Sequence, residues 1–93
     1  MKYLQFLMNK FIEVKDNKIT FTLQDGTVSE VGENGMQVMD MIIVLKHLFQ
    51  SLDNQYPCQE NQNTIDALDE AYYWQQMRTI NRINRGVEGK YEV

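Results

Sequence analysis

One segment in the first third of the chain alternates apolar and polar residues, as half-buried strands do. In Lys18–Leu23 every second residue is apolar, and the turn-favouring dipeptides Asp16-Asn17 and Asp25-Gly26 flank this segment. We therefore expect a three-stranded antiparallel β-meander over about residues 10–31. Its predicted strands are Lys10–Val14, Lys18–Leu23 and Thr27–Val31.

After residue 35 the apolar spacing changes to that of helices. The first predicted helix runs from Met36 or Gln37 to Leu52. Its apolar stripe contains Val38, Met41, Ile42, Leu45, Leu48 or Phe49, and Leu52. Asp53-Asn54 and Pro57 interrupt the pattern. A second helix is predicted over Asn61–Arg85, with Gly86 at the position where helix-terminating glycines are common.

Together these patterns predict an α+β fold in a single domain, residues 1–93. The β-meander would occupy residues 1–34, an antiparallel two-helix hairpin residues 35–86, and a C-terminal tail residues 87–93. A chain of 93 residues buries only about 60–65% of its unfolded surface. A 25-residue helix is roughly 37 Å long, whereas a compact monomer of this size is about 30 Å across. Because this helix is apolar along its length, we expect a homo-oligomer.

The charge distribution limits the classes of partner. The net charge is −4, which argues against binding to long nucleic acids. Residues 1–77 carry five Lys and eleven acidic residues, whereas residues 78–93 have a net charge of +2. A local basic region in an acidic protein suits a small anionic ligand. The single Cys58 excludes an internal disulfide and fits the cytoplasm, and no apolar run is long enough to span a membrane.

Three arginines form a cationic stripe near the end of the second predicted helix. Arg78, Arg82 and Arg85 follow i, i+4, i+7 spacing and therefore share one helical face. Such cations compensate the helix dipole in the last turn, which is one explanation of the stripe. The planar guanidinium also binds phosphate bidentately, which is the functional alternative. Trp74 precedes the stripe by one turn and has the character of a core or interface residue.

The sequence offers few residues for catalysis. His47 and Cys58 are the sole histidine and cysteine, too few for a zinc site. No glycine-rich phosphate-binding loop is present. We therefore predict that the protein is not an enzyme and has no metal or cofactor.

An ordered set of short motifs resembles the phage Thoeris anti-defence sponge family, which shares a helical hairpin with the anti-CBASS cyclic-nucleotide sponges. In the C-terminal half the motifs are Cys58-Gln59-Glu60-Asn61, Leu68-Asp69-Glu70-Ala71, Trp74, Arg78-Thr79, Arg82 and Gly86-Val87-Glu88-Gly89. The N-terminal half resembles the Thoeris branch in its small β-meander and in Val31-Gly32-Glu33-Asn34-Gly35. The chain departs from the family pattern at Gln59, where Arg is common, and at Lys90, where a small hydroxyl residue is common.

The resemblance implies a protein that sequesters a glycocyclic ADP-ribose immune signal in the cytoplasm of an infected bacterium and so blocks activation of the Thoeris effector. It implies assembly as dimers or hexamers. By position, Arg78 and Arg82 would hold the pyrophosphate, Asn61 would hydrogen-bond the ligand, and Phe49 would stack on the adenine. Some relatives also bind cyclic di- or trinucleotides at a second pocket. Gln59 and Lys90 depart from the family pattern at positions that belong to this second pocket.

Three alternatives remain open, one of which is an enzyme that cleaves the signal. The chain could be a sponge for the cyclic di- or trinucleotides of CBASS-type signalling. It could also be a structural or protein-inhibiting small phage protein, in which the arginines only cap the helix.

Overall fold

The computed structural model describes residues 2–88, which fold into four helices and a two-stranded antiparallel sheet. This confirms the α+β class. The elements in chain order are α1 Lys2–Lys10, β1 Ile12–Lys15, β2 Lys18–Phe21, α2 Val28–Val31, α3 Asp40–Gln55 and α4 Gln59–Asn84. They form two compact units, residues 2–38 and Met39–Glu88.

The first unit is built on a β-hairpin. β1 pairs antiparallel with β2, with Ile12 opposite Phe21 and Lys15 opposite Lys18. The two residues between the strands, Asp16 and Asn17, have φ values of 54° and 60°. Two positive φ values are what a tight two-residue hairpin turn needs, and Asp and Asn tolerate them better than most residues. The predicted turn and the predicted second strand are confirmed, although β2 ends at Phe21.

The N-terminal segment differs from the prediction. Lys10 was expected to begin a strand, but it ends α1, and the strand begins at Ile12. α1 buries Leu4 and Leu7, which are three residues apart and therefore share a helical face. This burial favours a helix over an extended segment.

The predicted third strand is wrong, because Val28–Val31 within Thr27–Val31 forms the short helix α2. The residue that pairs beside Leu23 is Met36, in a parallel bridge. Side-chain hydrogen bonds hold the intervening loop: Gln24 Nε2 donates to the Gly32 carbonyl at 2.8 Å, and Asn34 Nδ2 donates to the Asp25 carbonyl at 2.8 Å. The Asp25-Gly26 dipeptide therefore opens this loop and does not close a hairpin.

The second unit is the predicted helical hairpin. α3 begins at Asp40, about four residues later than expected, because Met36 is buried in the bridge to Leu23. α4 begins two residues earlier than expected and ends one residue earlier. α3 packs against α4, an ion pair joins Lys46 to Asp69, and the connection spans only residues 56–58. So short a connection makes the two helices antiparallel neighbours.

The second unit has a small apolar interior. Val44 of α3 and Ile65 of α4 are its buried hydrophobic residues. Within the described chain, no helix combines the length and hydropathy that crossing a membrane would require. Residues 89–93 of the predicted tail, including Lys90, lie outside the described residues.

Candidate anion site at the end of helix α4

The C-terminal end of α4 is closed by a glycine turn. The Gly86 amide donates to the Ile83 carbonyl at 3.0 Å, and the Val87 amide donates to the Arg82 carbonyl at 3.0 Å. Gly86 has φ 74°, the left-handed conformation that such a turn requires of the residue after the helix. The predicted role of Gly86 is confirmed. The turn folds residues 87 and 88 back beside the last turn of the helix.

Arg82 lies beneath this folded-back segment. Its Nη2 donates to the Val87 carbonyl at 2.9 Å, and its Nε lies 3.6 Å from Glu88 Oε2. The Arg82 side chain is only 6% exposed, whereas that of Glu88 is 40% exposed. A buried guanidinium needs such partners, since an unpaired buried charge is very costly. Arg82 therefore stabilises the C-terminal end of α4, as the capping interpretation of the arginines predicts.

Arg78 lies in a different environment from Arg82, although the two residues share one helical face. Its side chain is exposed and makes no hydrogen bond or ion pair with any residue of the described range 2–88. One turn earlier, Trp74 is also exposed, and its ring meets Tyr73 edge to face at 5.2 Å between ring centroids. The capping interpretation leaves Arg78 unexplained. An exposed guanidinium next to an exposed aromatic ring offers a charge and a flat apolar surface to an anionic ligand.

Asn61 and Phe49 lie at the other end of the hairpin. Asn61 Nδ2 donates to the Tyr56 carbonyl at 3.1 Å and so braces the connection between α3 and α4. Phe49 is half-buried on α3, within two turns of the same connection. A second bond, from the Cys58 amide to Asp53 Oδ1 at 3.1 Å, tightens this loop. The side-chain oxygen of Asn61 is not used in its bond to Tyr56.

The four predicted site residues therefore form two pairs and not one cluster. Asn61 and Arg78 are 17 residues apart on α4, which corresponds to roughly 26 Å along the helix axis. Arg78 and Arg82 are one turn apart, a spacing of about 6 Å that two phosphates of a pyrophosphate can bridge. Within one chain, the loop pair and the arginine pair are too far apart to contact one small nucleotide.

An open groove at the loop end of the hairpin was not anticipated from the sequence. It has a volume of about 430 Å³ and a mainly polar lining: His47, Gln50, Ser51, Asp53, Asn54, Gln62 and Ile65. None of the four predicted site residues is part of that lining. The i, i+3, i+4, i+7 spacing of His47, Gln50, Ser51 and Asn54 is a signal that could have identified this polar face of α3.

Large apolar side chains are exposed on both helices of the hairpin. They are Leu45, Leu48, Leu52, Tyr73, Trp74, Met77, Ile80 and Ile83. Only two apolar residues of this unit are buried, so the exposed apolar set far exceeds its interior. Exposed apolar surface of this kind marks interaction sites.

No protein-family model matches the chain. A curated relative, Thoeris anti-defense 1 of Bacillus phage SBSphiJ7, is 38% identical to it over 88 residues. The match covers 90% of this chain and 62% of the relative, so the chain spans about three fifths of the length of that protein.

Proposed function

We propose that this chain, which belongs to the Thoeris anti-defence family, binds and sequesters a glycocyclic ADP-ribose immune signal without cleaving it. By holding the nucleotide, it would keep the signal from the Thoeris effector of an infected bacterium. The name of the relative supports the anti-defence role, and the identity over most of this chain supports its transfer.

The observation that carries the proposal is the state of Arg78. It is an exposed cation without a partner among residues 2–88, one turn from the exposed indole of Trp74 and one turn from Arg82. The pyrophosphate of an ADP-ribose carries two negative charges. Two arginines that are one helical turn apart can each bind one of these charges. A charge-assisted hydrogen bond of this kind contributes about 1.5–3 kcal/mol.

The separation of the two residue pairs supports a site shared between two copies of the chain. If two hairpins pack antiparallel, the arginine end of one α4 lies beside the loop end of the other. Arg78 and Arg82 of one copy would then hold the pyrophosphate, while Asn61 and Phe49 of the other contact the nucleoside. The exposed apolar side chains of α3 and α4 supply the surface for such packing.

Binding without turnover is part of the same proposal. Sequestration needs only affinity and protein in sufficient amount, so it places no demand on a nucleophile or a general base. The test is to recover the nucleotide from denatured complex. A sponge returns it unchanged, whereas a hydrolase returns an opened product.

The direct experiment is calorimetric titration of the purified protein with glycocyclic ADP-ribose, with a cyclic trinucleotide as the comparison ligand. Binding of the former that is lost in Arg78→Ala supports the proposed function. Binding of the trinucleotide alone would move the function to CBASS-type signalling. No binding of either would leave the arginines with a structural role only.

A further inference from the structure

We propose that Glu88 is a built-in competitor for the anion site, whose carboxylate occupies the place at Arg82 that a ligand phosphate needs. This inference rests on the proposed function and deepens it. It makes Glu88 a residue that sets the affinity and the selectivity of the site.

The Arg82 guanidinium is poorly accessible in the free protein. The Arg82 side chain is 6% exposed, and it contacts the Val87 carbonyl and the Glu88 carboxylate. The Glu88 carboxylate lies where a phosphate oxygen would approach Arg82 Nε. For Arg82 Nε to join Arg78 in holding a pyrophosphate, the Glu88 carboxylate must give way.

The Glu88 carboxylate resembles a ligand phosphate in its chemistry. A carboxylate and a phosphate present oxygen pairs of matching geometry to a guanidinium, so they compete for the same donors. The Glu88 carboxylate lies 3.6 Å from Arg82 Nε, which is longer than the 2.7–2.9 Å or so of a strong charge-assisted hydrogen bond. This Nε contact is therefore weaker than a strong charge-assisted hydrogen bond, and a dianion that engages both arginines competes with it.

Displacement of the Glu88 carboxylate leaves the helix α4 intact. Glu88 is on the exposed side of the ion pair, at 40% exposure, and it follows Gly86, whose backbone is at φ 74°. The four residues before Gly86 keep their helical bonds whichever way the Glu88 side chain points. The movement required is that of the Glu88 side chain.

The Glu88 carboxylate also affects which anions the site binds. In the free protein Glu88 neutralises Arg82, so a monoanion that offers a single charge gains little by replacing it. A pyrophosphate engages Arg78 and Arg82 together, which a single carboxylate cannot do. Glu88 thus favours dianionic ligands over the abundant monoanions of a cell.

The test compares Glu88→Gln with the matched control Glu70→Gln, an exposed residue on the same helix with the same change of charge. Each protein is titrated with glycocyclic ADP-ribose by calorimetry. Removal of the competitor should tighten binding roughly three- to tenfold, whereas the control should change it less than about twofold. Circular dichroism at the working temperature verifies that each variant is folded.

A second readout separates this inference from the proposed function. The rise in melting temperature caused by inorganic pyrophosphate is measured for the wild type and for both variants. A larger rise in Glu88→Gln than in the other two supports the competitor, even where glycocyclic ADP-ribose fails to bind and the proposed function falls. Unchanged or weaker binding of both ligands by folded Glu88→Gln overturns the inference, and would make Glu88 a residue that positions Arg82.

Discussion

Asn61 and Arg78 lie 17 residues apart on one continuous helix, near opposite ends of the helical hairpin. Asn61 braces the connection between α3 and α4 through the Tyr56 carbonyl, whereas Arg78 projects from the far end of α4 without a partner among residues 2–88. The roughly 26 Å between them exceeds the reach of a single ADP-ribose. A site that uses both residues must therefore draw them from different copies.

This geometry predicts complementation between two inactive variants. In a two-fold dimer, each shared site contains Arg78 of one copy and Asn61 of the other. Arg78→Ala and Asn61→Ala should each lose binding as homodimers. A heterodimer of the two, isolated by tandem affinity tags, has one doubly mutated site and one intact site. Calorimetry should therefore find about half of the wild-type number of sites, at wild-type affinity.

The control for this experiment is a heterodimer in which both mutations are in the same chain and the other chain is wild type. Each of its two sites then has one mutated residue, so binding should stay weak at both. Recovery in this control, together with none in the complementing pair, would mean that both residues act within one chain.

Arg78 and Arg82 should respond differently to removal, although both are arginines on one face. Arg78→Ala should lower nucleotide affinity at least tenfold and change the free energy of unfolding by less than about 0.5 kcal/mol, because its side chain is exposed. Arg82→Ala should also destabilise the fold, by about 1–3 kcal/mol, because the buried guanidinium bonds the Val87 carbonyl. Thermal unfolding and calorimetry on the same samples separate the two effects.

The matched control for these variants is Arg85→Ala. Arg85 is exposed near the same helix end, and its Nε donates to Asn81 Oδ1 at 2.8 Å. Its removal changes the net charge equally, so it should leave nucleotide affinity within about twofold of the wild type. A loss of affinity as large as that of Arg78→Ala would show that general positive charge, and not the Arg78 position, governs binding.

Local patterns predicted the elements whose stability is local. The alternation in β2, the Asp16-Asn17 turn and the long helix that ends before Gly86 all follow from periodicity and turn chemistry within a few residues. The spacing of Arg78 and Arg82 was likewise readable from the sequence. The sequence could not predict which guanidinium is exposed and which is buried, because this depends on how residues 87 and 88 fold back after the helix.

The segment between β2 and α3 could not be predicted for a related reason. Its conformation depends on side chains that bond to backbone eight to ten residues away, such as Gln24 with Gly32 and Asn34. No periodic pattern encodes such bonds. Thr27–Val31 has the composition of a strand, but its two valines remain exposed in the short helix α2.

Gly35 should be intolerant of any side chain. A Cβ atom there would overlap the backbone carbonyl group of Leu23, and neither backbone can yield without breaking the bridge from Leu23 to Met36. Gly35→Ala should therefore destabilise the first unit by about 3 kcal/mol or more. Hydrogen exchange should show lost protection of the Met36 amide, which bonds the Thr22 carbonyl at 2.8 Å. Glu33→Ala, in the same loop and exposed, is the control and should keep that protection.

The exposed indole of Trp74 provides a direct test of self-association. Trp74 is 59% exposed and is the only tryptophan, so its fluorescence reports on one position of α4. If a second copy covers this face, emission at high protein concentration should be shifted to the blue, and dilution should move it to the red as the oligomer dissociates. Sedimentation velocity over the same concentrations should show the mass falling in parallel. Emission typical of an exposed indole in a protein that sediments as an oligomer would place the contact on another face, and the shared site would then need Asn61 and Arg78 to meet by a different packing of the hairpins.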